Sequence, residues 1–325
     1  MSNPRCPLCG QATTRLLVFA PDYRMGDHRR HGVWLCPQCD VGVTASAWDE
    51  RVRSEAYDGE YEPHQARSRP ASGLRGRIAA TIRTGFGYPQ ASALPLPAFL
   101  SRWLARIRGW TWQPPPPRPG RLLDVGCGGG AYGASLIPLG WRVDGIEPDA
   151  RAAELARRQG LTVQQNPAEA ALLPDDAYDA ITLWHSLEHL SQPVAALQKL
   201  RPSLRDHGLL WVEVPNRTGW GATLMGEYWY HWDLPRHRLH FSPASLRLIL
   251  EQAGFRVEQV RHIPNPHGLA GSLAYRFGRP GLARSRLILA VGWLFGLTAA
   301  LCRRGEVIRA AARKEGSFPD ETHVR

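Results

Sequence analysis

Residues 121–130 read Arg-Leu-Leu-Asp-Val-Gly-Cys-Gly-Gly-Gly, an apolar run that breaks into glycines. Leu122, Leu123 and Val125 suit a strand buried on both faces, and glycines directly after a strand let backbone amides and a helix N-terminus close on a ligand. This segment points to an open α/β sheet with its site at the carboxyl ends of the strands. The loop lacks the Lys-Ser/Thr of a phosphate-binding P-loop. Glu147, 19 residues beyond Gly128 at the end of the next apolar run, is placed to accept both hydroxyls of an adenosine ribose. On these residues alone, NAD and other adenosine-bearing cofactors both remain open.

The rest of the chain repeats the strand–helix cadence. Strands are expected at Val143–Ile146, Leu161–Gln165, Tyr178–Trp184, Gly208–Val214 and Phe255–Ile263. Helices are expected after the glycine loop through Leu139, at Ala150–Gln159, at Val194–Leu204, and from the Ser242-Pro243 cap to Ala253. The predicted class is α/β: a Rossmann-like, doubly wound seven-stranded sheet with a small N-terminal zinc ribbon and helical additions.

The ribbon rests on Cys6-Pro7-Leu8-Cys9-Gly10 and Cys36-Pro37-Gln38-Cys39. Two C-x2-C knuckles supply four thiolates, a closed tetrahedral set with no open position for catalysis, and the 26 residues between them suit a hairpin. The reading for Cys6, Cys9, Cys36 and Cys39 is structural zinc, with a redox dithiol or an iron site as the alternatives. No secretory leader pattern precedes the cysteines, so the expected location is the cytoplasm.

Forty Lys+Arg against 29 Asp+Glu give a net charge of +11, which favours nucleic acid, an anionic membrane surface or an acidic substrate as partner. The excess is concentrated. Residues 67–112 hold eight arginines and no acid, residues 259–304 hold seven and no acid, and the remainder is net acidic. In the first window Leu74, Ile78 and Ile82, then Phe99, Leu100, Trp103, Leu104 and Ile107, recur at helical spacing. In the second, Leu287–Cys302 is an apolar run of 16 residues, short of the roughly 20 needed to span a bilayer. With the proline run at 114–117 as a stiff boundary, the chain divides into a ribbon (1–46), a helical linker or cap (47–113), a catalytic domain (114–263 and 305–325) and an apolar, basic helical insertion (264–304).

Four motifs then resemble a known family. Leu-Leu-Asp-Val-Gly-Cys-Gly-Gly-Gly at 122–130, Gly-Ile-Glu-Pro-Asp at 145–149, Leu-Pro-Asp-Asp-Ala-Tyr-Asp at 173–179 and Ala-Gly-Phe-Arg-Val at 253–257 are similar to the successive motifs of class I S-adenosylmethionine-dependent methyltransferases. The resemblance implies S-adenosylmethionine as cofactor. Asp124, Gly126, Gly128 and Gly130 would shape its pocket, Glu147 with Pro148 would hold the ribose, Asn166 would replace the usual acid near the adenine, and Trp184 would line the cleft. It also implies a final antiparallel strand at 305–312.

Two histidine clusters follow. His185-Ser186-Leu187-Glu188-His189 resembles the E-x-x-E-H of quinone-biosynthesis O-methyltransferases, which binds a divalent ion, with His185 in place of the first Glu. Metal binding, a base role for His185 and plain cleft lining all stay open. In the second cluster, residues 231–240, His237 or His240 is the candidate to deprotonate or orient an acceptor. The expected function is O-methylation of a small-molecule, glycan or lipid-linked anionic acceptor, with peripheral membrane contact through residues 284–304. RNA methylation guided by the ribbon is the alternative, and nucleic acid is the less favoured partner. Oligomeric state is left open.

Overall fold

Strands and helices alternate through the computed structural model, which describes residues 3–45, 72–109 and 112–316. The acidic, aromatic stretch 47–62 and the chain beyond residue 316 lie outside the described residues. In chain order come β1 (Arg15–Asp22), β2 (Asp27–Cys36), β3 (Val41–Ala45), α1 (Gly73–Gly85), α2 (Ala98–Arg108), β4 (Arg121–Val125), α3 (Ala131–Leu136), β5 (Arg142–Ile146), α4 (Ala150–Arg158), β6 (Thr162–Gln164) and β7 (Tyr178–Trp184). Then follow α5 (Pro193–Leu200), β8 (Leu204–Pro215), α6 (Trp220–Met225), β9 (Leu239–His240), α7 (Pro243–Gln252), β10 (Phe255–Ile263), α8 (Pro266–Phe277), α9 (Arg286–Leu301) and β11 (Val307–Lys314).

Seven strands share one sheet in the order β10-β11-β8-β7-β4-β5-β6. The β4–β5, β5–β6 and β4–β7 pairs are parallel, whereas β11 runs antiparallel to both β8 and β10. This is the mixed, doubly wound sheet expected from the cadence, including the late antiparallel strand. The described residues fall into two compact units.

One unit holds α1, α2, β4–β6 and β7 as far as Thr182. Leu122 and Leu123 in β4 are buried together with Val143 and Leu136. Helix α4 begins on Asp149, whose side chain accepts from Ala152 N, and buries Ala152, Ala153 and Ala156. Its close approach explains one glycine: a Cβ on Gly130 would lie 2.8 Å from the Cα of Ala156, and φ there is +83°. The proline run packs into this unit. Pro114 and Pro115 are buried, and the Tyr88 hydroxyl donates to the carbonyl of Pro115 at 2.9 Å while accepting from Trp141 Nε1 at 2.7 Å.

The other unit contains the ribbon strands, Leu172–Asp176 and the chain from Leu183 onward. Helix α5 stops at Leu200, four residues before the expected end, and β8 starts at Leu204. Pro202 accounts for the shift: without an N–H it cannot continue the helical bonding, and Arg201–Ser203 tightens into a 3-10 turn ahead of β8. The connection between β10 and β11 folds into α8 and α9. Asn265 caps α8 by accepting from His267 N and Gly268 N.

Helix α9 packs through its small residues. Gly292, Gly296 and Ala299 are buried, and a Cβ on Gly292 would come within 2.4 Å of the Pro266 carbonyl oxygen. Replacing Gly292 with Val should therefore lower stability by about 1–3 kcal/mol. Leu294→Ser, at an exposed position, should change it by no more than about 0.5 kcal/mol. Urea denaturation of the two variants would test this orientation, and the reverse ranking would refute it.

Candidate active site

The cofactor set foreseen from the motifs gathers largely in the first unit, at the carboxyl ends of β4, β5 and β6. Past β4 the chain turns through Gly126 (φ +72°), Gly128 (φ +52°) and Gly130 (φ +83°), left-handed positions that suit glycine. Gly126 N and Cys127 N donate to the carbonyl of Ile146, which ties the loop to the end of β5. Glu147 is buried, and its two oxygens accept from Gly128 N and Asp149 N, each at 2.9 Å. Asp124, also buried, accepts from the Thr182 hydroxyl at 2.8 Å. Pro148 and Asn166 follow β5 and β6 and are exposed.

Burial pushes Glu147 up to about 7, against the lowering effect of its two amide bonds. It pushes Asp124 to about 7 as well, where the Thr182 bond lowers and the charge of Glu147 raises. A carboxylate anchored by two amides keeps lone pairs for further donors. As an acceptor, Glu147 therefore fits an adenosine ribose with two hydroxyls.

The second unit carries the histidines. His185 leaves β7 with φ +52°, uncommon for a non-glycine residue. Its Nδ1 lies 3.3 Å from Glu188 Oε1 and its Nε2 3.4 Å from Glu213 Oε1. Burial disfavours the imidazolium, but the bonds and charges of the two glutamates outweigh it and raise the pKa to about 10. Glu213 is held in turn by Arg309, its register partner across β8 and β11, at 2.6 Å. Burial works against the Glu213 carboxylate, yet Arg309 and His185 keep its pKa below the ordinary value. The Arg309 guanidinium also stacks 4.9 Å from the Trp184 ring, which places Trp184 in this cluster.

His231 stacks on His185, with centroids 6.3 Å apart and planes 4° off parallel. Burial, and then the charge of His185, push His231 down to about 3. His237 Nδ1 lies 2.9 Å from the His231 carbonyl, and His189 Nδ1 lies 3.0 Å from the Arg236 carbonyl. A carbonyl only accepts, so Nδ1 carries the proton in both rings and Nε2 carries the lone pair. Glu188 is fully buried, and its Oε2 has no hydrogen-bond partner among the described residues.

Ligand atoms of Glu188, His189 and His237 lie within 4.8 Å of one another. Two imidazoles whose Nδ1 atoms are committed to carbonyls, together with one buried carboxylate, suit a divalent cation. His185 stands beside this set, bonded to its carboxylate.

His240 points elsewhere. It belongs to β9, which pairs with β3 through Gly42↔His240 and Val43↔Leu239 and so extends the ribbon's sheet. Its Nε2 lies 2.9 Å from the Thr44 hydroxyl, which donates to the His237 carbonyl at 2.6 Å. The ribbon grips the same loop further on: Asp22 makes a bidentate pair with the buried Arg236 at 2.7 Å, and Arg24 reaches Asp233 at 3.0 Å. Asp233, buried and flanked by both arginines, is held far below the usual carboxylate range although burial alone would raise it.

The sulfurs of Cys6, Cys9, Cys36 and Cys39 lie within 4.8 Å of one another, with Cys9 and Cys36 at 3.6 Å. Tetrahedral zinc with Zn–S bonds of roughly 2.3 Å would set its sulfurs about 3.8 Å apart, so the four thiols fit that ion. The sequence reading passed over Thr182, Glu213, Arg309, Asp22, Asp233 and Arg236. Glu213 and Arg309 had a visible signal, since each is the one charged residue in a run of apolar strand residues, Leu209–Val214 and Val307–Ala312.

Known proteins bear on this site in three ways. The ubiquinone biosynthesis O-methyltransferase of Xanthomonas oryzae pv. oryzae is 31% identical over 153 residues, 43% of this chain and 64% of that protein. The chain thus matches less than two thirds of that relative's length. The Dinoroseobacter shibae protein of the same name is 30% identical over 193 residues, 55% of this chain and 77% of its own. Among solved structures, a Thermotoga maritima S-adenosylmethionine-dependent methyltransferase, described as a possible histamine N-methyltransferase, is 18% identical with a TM-score of 0.44, covering 67% of this chain and 95% of its own. Residues 95–260 match the family described as "Methyltransferase domain". Because that match takes in just over half of the sequence, the chain belongs to this family, the S-adenosylmethionine-dependent methyltransferases.

Proposed function

We propose that this protein transfers a methyl group from S-adenosylmethionine to an oxygen of a small-molecule, glycan or lipid-linked acceptor that carries negative charge. The observation that carries this reading is the convergence of Glu188, His189 and His237 beside His185, a set built to bind and acidify a hydroxyl. The names of the Xanthomonas and Dinoroseobacter relatives support oxygen over nitrogen or carbon. The acid-free arginine windows support the sign of the acceptor's charge.

The sulfonium of the cofactor supplies an activated methyl, so the chain's task is alignment and proton management. Glu147 and the loop Asp124–Gly130 bind the cofactor, with Pro148 and Asn166 bordering it and Trp184 held by Arg309. Glu188, His189 and His237 would hold a divalent cation, which would supply Lewis acidity toward an acceptor oxygen. His185, fixed between two glutamates, orients the acceptor. His240 anchors the loop to the ribbon, and the four cysteines hold structural zinc. Ribbon-guided RNA methylation has less support, since Arg24, Arg29 and Arg30 of the ribbon are paired with Asp233, Asp27 and Glu227.

Glu147→Ala should weaken S-adenosylmethionine binding roughly 10- to 100-fold by calorimetry, the loss expected for charge-assisted hydrogen bonds. Unchanged affinity would put the cofactor elsewhere. Glu147 also predicts a pH effect. Its folded pKa of about 7 exceeds the ordinary 4.5, so its contribution to stability is greatest below about pH 4.5 and is lost as pH rises to about 7. Hydroxyl donors favour the carboxylate, so cofactor affinity should increase with pH through about 7. Asp124 shares this window. Glu147→Gln should flatten part of the rise, and a full rise in that variant would assign it to Asp124.

Cys36→Ser should abolish zinc binding, measured as metal per chain. It should also speed amide exchange in residues 236–242, because β3 pairs with β9 and Asp22 binds Arg236. Calorimetry should find cofactor affinity within about threefold of the parent. Unaltered exchange in 236–242 would refute the coupling between ribbon and loop.

A further inference from the structure

Helix α9 is inside out for a helix in water. Soluble helices bury their large apolar side chains and expose polar ones. Here the buried residues are Gly292, Gly296 and Ala299, while Leu287 is 75% exposed, Val291 52%, Leu294 69% and Leu301 75%. At 3.6 residues per turn these four fall within an arc of about 80°, opposite the small residues. The packing settles the orientation, since Gly292 and Gly296 lie against the backbone of Pro266 and Asn265. Four large side chains in one stripe exceed the ordinary scatter of single apolar residues on a surface.

The charge around the stripe is of one sign. Arg284 and Arg286 at one end of α9 and Arg303 and Arg304 at the other are exposed. No acid occurs anywhere in residues 259–304. The helix is about 24 Å long, and no described helix is long and apolar enough to cross a membrane. A second copy of the chain seated on the stripe would set arginines against arginines in either direction, a like-charge arrangement that disfavours pairing. Nucleic acid would leave the leucines unsatisfied. An anionic bilayer surface meets both features, with acyl chains for the stripe and headgroups for its ends.

The other acid-free window repeats the pattern. In the first unit α1 and α2 bury Ala80, Thr81, Ser101 and Ala105 and expose Leu74, Ile78, Phe99 and Trp103. A Cβ on Gly85 would strike the Ser101 carbonyl oxygen at 2.0 Å, so these helices also meet through small residues.

We propose that α9 lies flat in the interface of an anionic bilayer, with Leu287, Val291, Leu294 and Leu301 at the acyl boundary and Arg284, Arg286, Arg303 and Arg304 among the headgroups. This contact does not depend on the methyl acceptor. The test is flotation of the full chain with vesicles of phosphatidylcholine alone and of an equal mixture of phosphatidylcholine and phosphatidylglycerol. The protein should float with the mixture, less so as salt rises, and only weakly with phosphatidylcholine. The combined Leu287→Ser, Leu294→Ser and Leu301→Ser variant should bind the mixture roughly tenfold or more weakly, with its melting temperature and cofactor affinity kept because these side chains are exposed. If that variant proves unstable, Arg284→Glu with Arg303→Glu should give the same loss. Equal binding to both vesicle types, undiminished binding by the variants, or a dimer in solution that the leucine variant dissociates would each overturn the proposal.

Discussion

A guanidinium with no solvent exposure ties the ribbon to the histidine loop. Arg236 spans Asp22 and Asp233 with four contacts of 2.7–2.9 Å, and Arg24 completes the network on Asp233. Taking such ions out of water costs several kcal/mol each, and only near-ideal bidentate geometry offsets it. The loop is therefore restricted to one arrangement, because any displacement strands a buried charge. That arrangement sets the histidine cluster: the Arg236 carbonyl holds His189, and the next residue is His237. Half of the ion pair stands 214 residues away, on a hairpin whose two knuckles supply the cysteine set. If zinc folds that hairpin, its binding energy also stabilises the histidine loop.

Buried carboxylates behave in opposite ways at the two sites, and the partner decides which. Glu147 accepts from two backbone amides, but burial outweighs them and its pKa rises to about 7. Glu213 is also strongly buried but lies on Arg309, and its pKa falls. The first arrangement leaves a group that responds to arriving donors, as a binding site requires. The second leaves a fixed negative charge that keeps His185 in place from one side while Glu188 holds it from the other. Glu306 shows the first behaviour without cofactor motifs: it accepts from Trp229 Nε1 at 2.9 Å, and burial raises it to about 7.

What the sequence made legible follows the range of the forces involved. Strands β4, β5, β7 and β10 could be read because continuous apolar runs and glycine stops are local signals. The glycine loop and Glu147 could be read because their spacing is a property of adjacent elements. Helix α5 ran long in the reading because Pro202 was not weighted. The pairing of β3 with a two-residue strand far downstream, Gly42 with His240 and Val43 with Leu239, had no local signature, and neither did the Asp22–Arg236 bond. His240 illustrates the consequence. Read as a member of a histidine cluster it was a candidate base, whereas in the fold its ring is committed to Thr44. His189 and His237, 48 residues apart, meet where the Arg236 carbonyl bonds His189 and the adjacent residue is His237.

The net charge of +11 is likewise two properties rather than one. Within the ribbon, Arg24, Arg29 and Arg30 are matched by Asp233, Asp27 and Glu227, so an acid at ion-pair distance offsets each of them. The arginines around α9 have no acid within their own segment and stand at the ends of an exposed leucine stripe. Electrostatic attraction to a surface falls off within about 8 Å at physiological salt, so only such exposed cations contribute to it. Apolar contact acts at shorter range still and requires side chains already turned outward. The small residues of α9 make that possible: by letting the helix sit close to Pro266 through Gly292, they remove the need to bury its leucines. Stability of the fold and availability of the surface thus come from the same glycines.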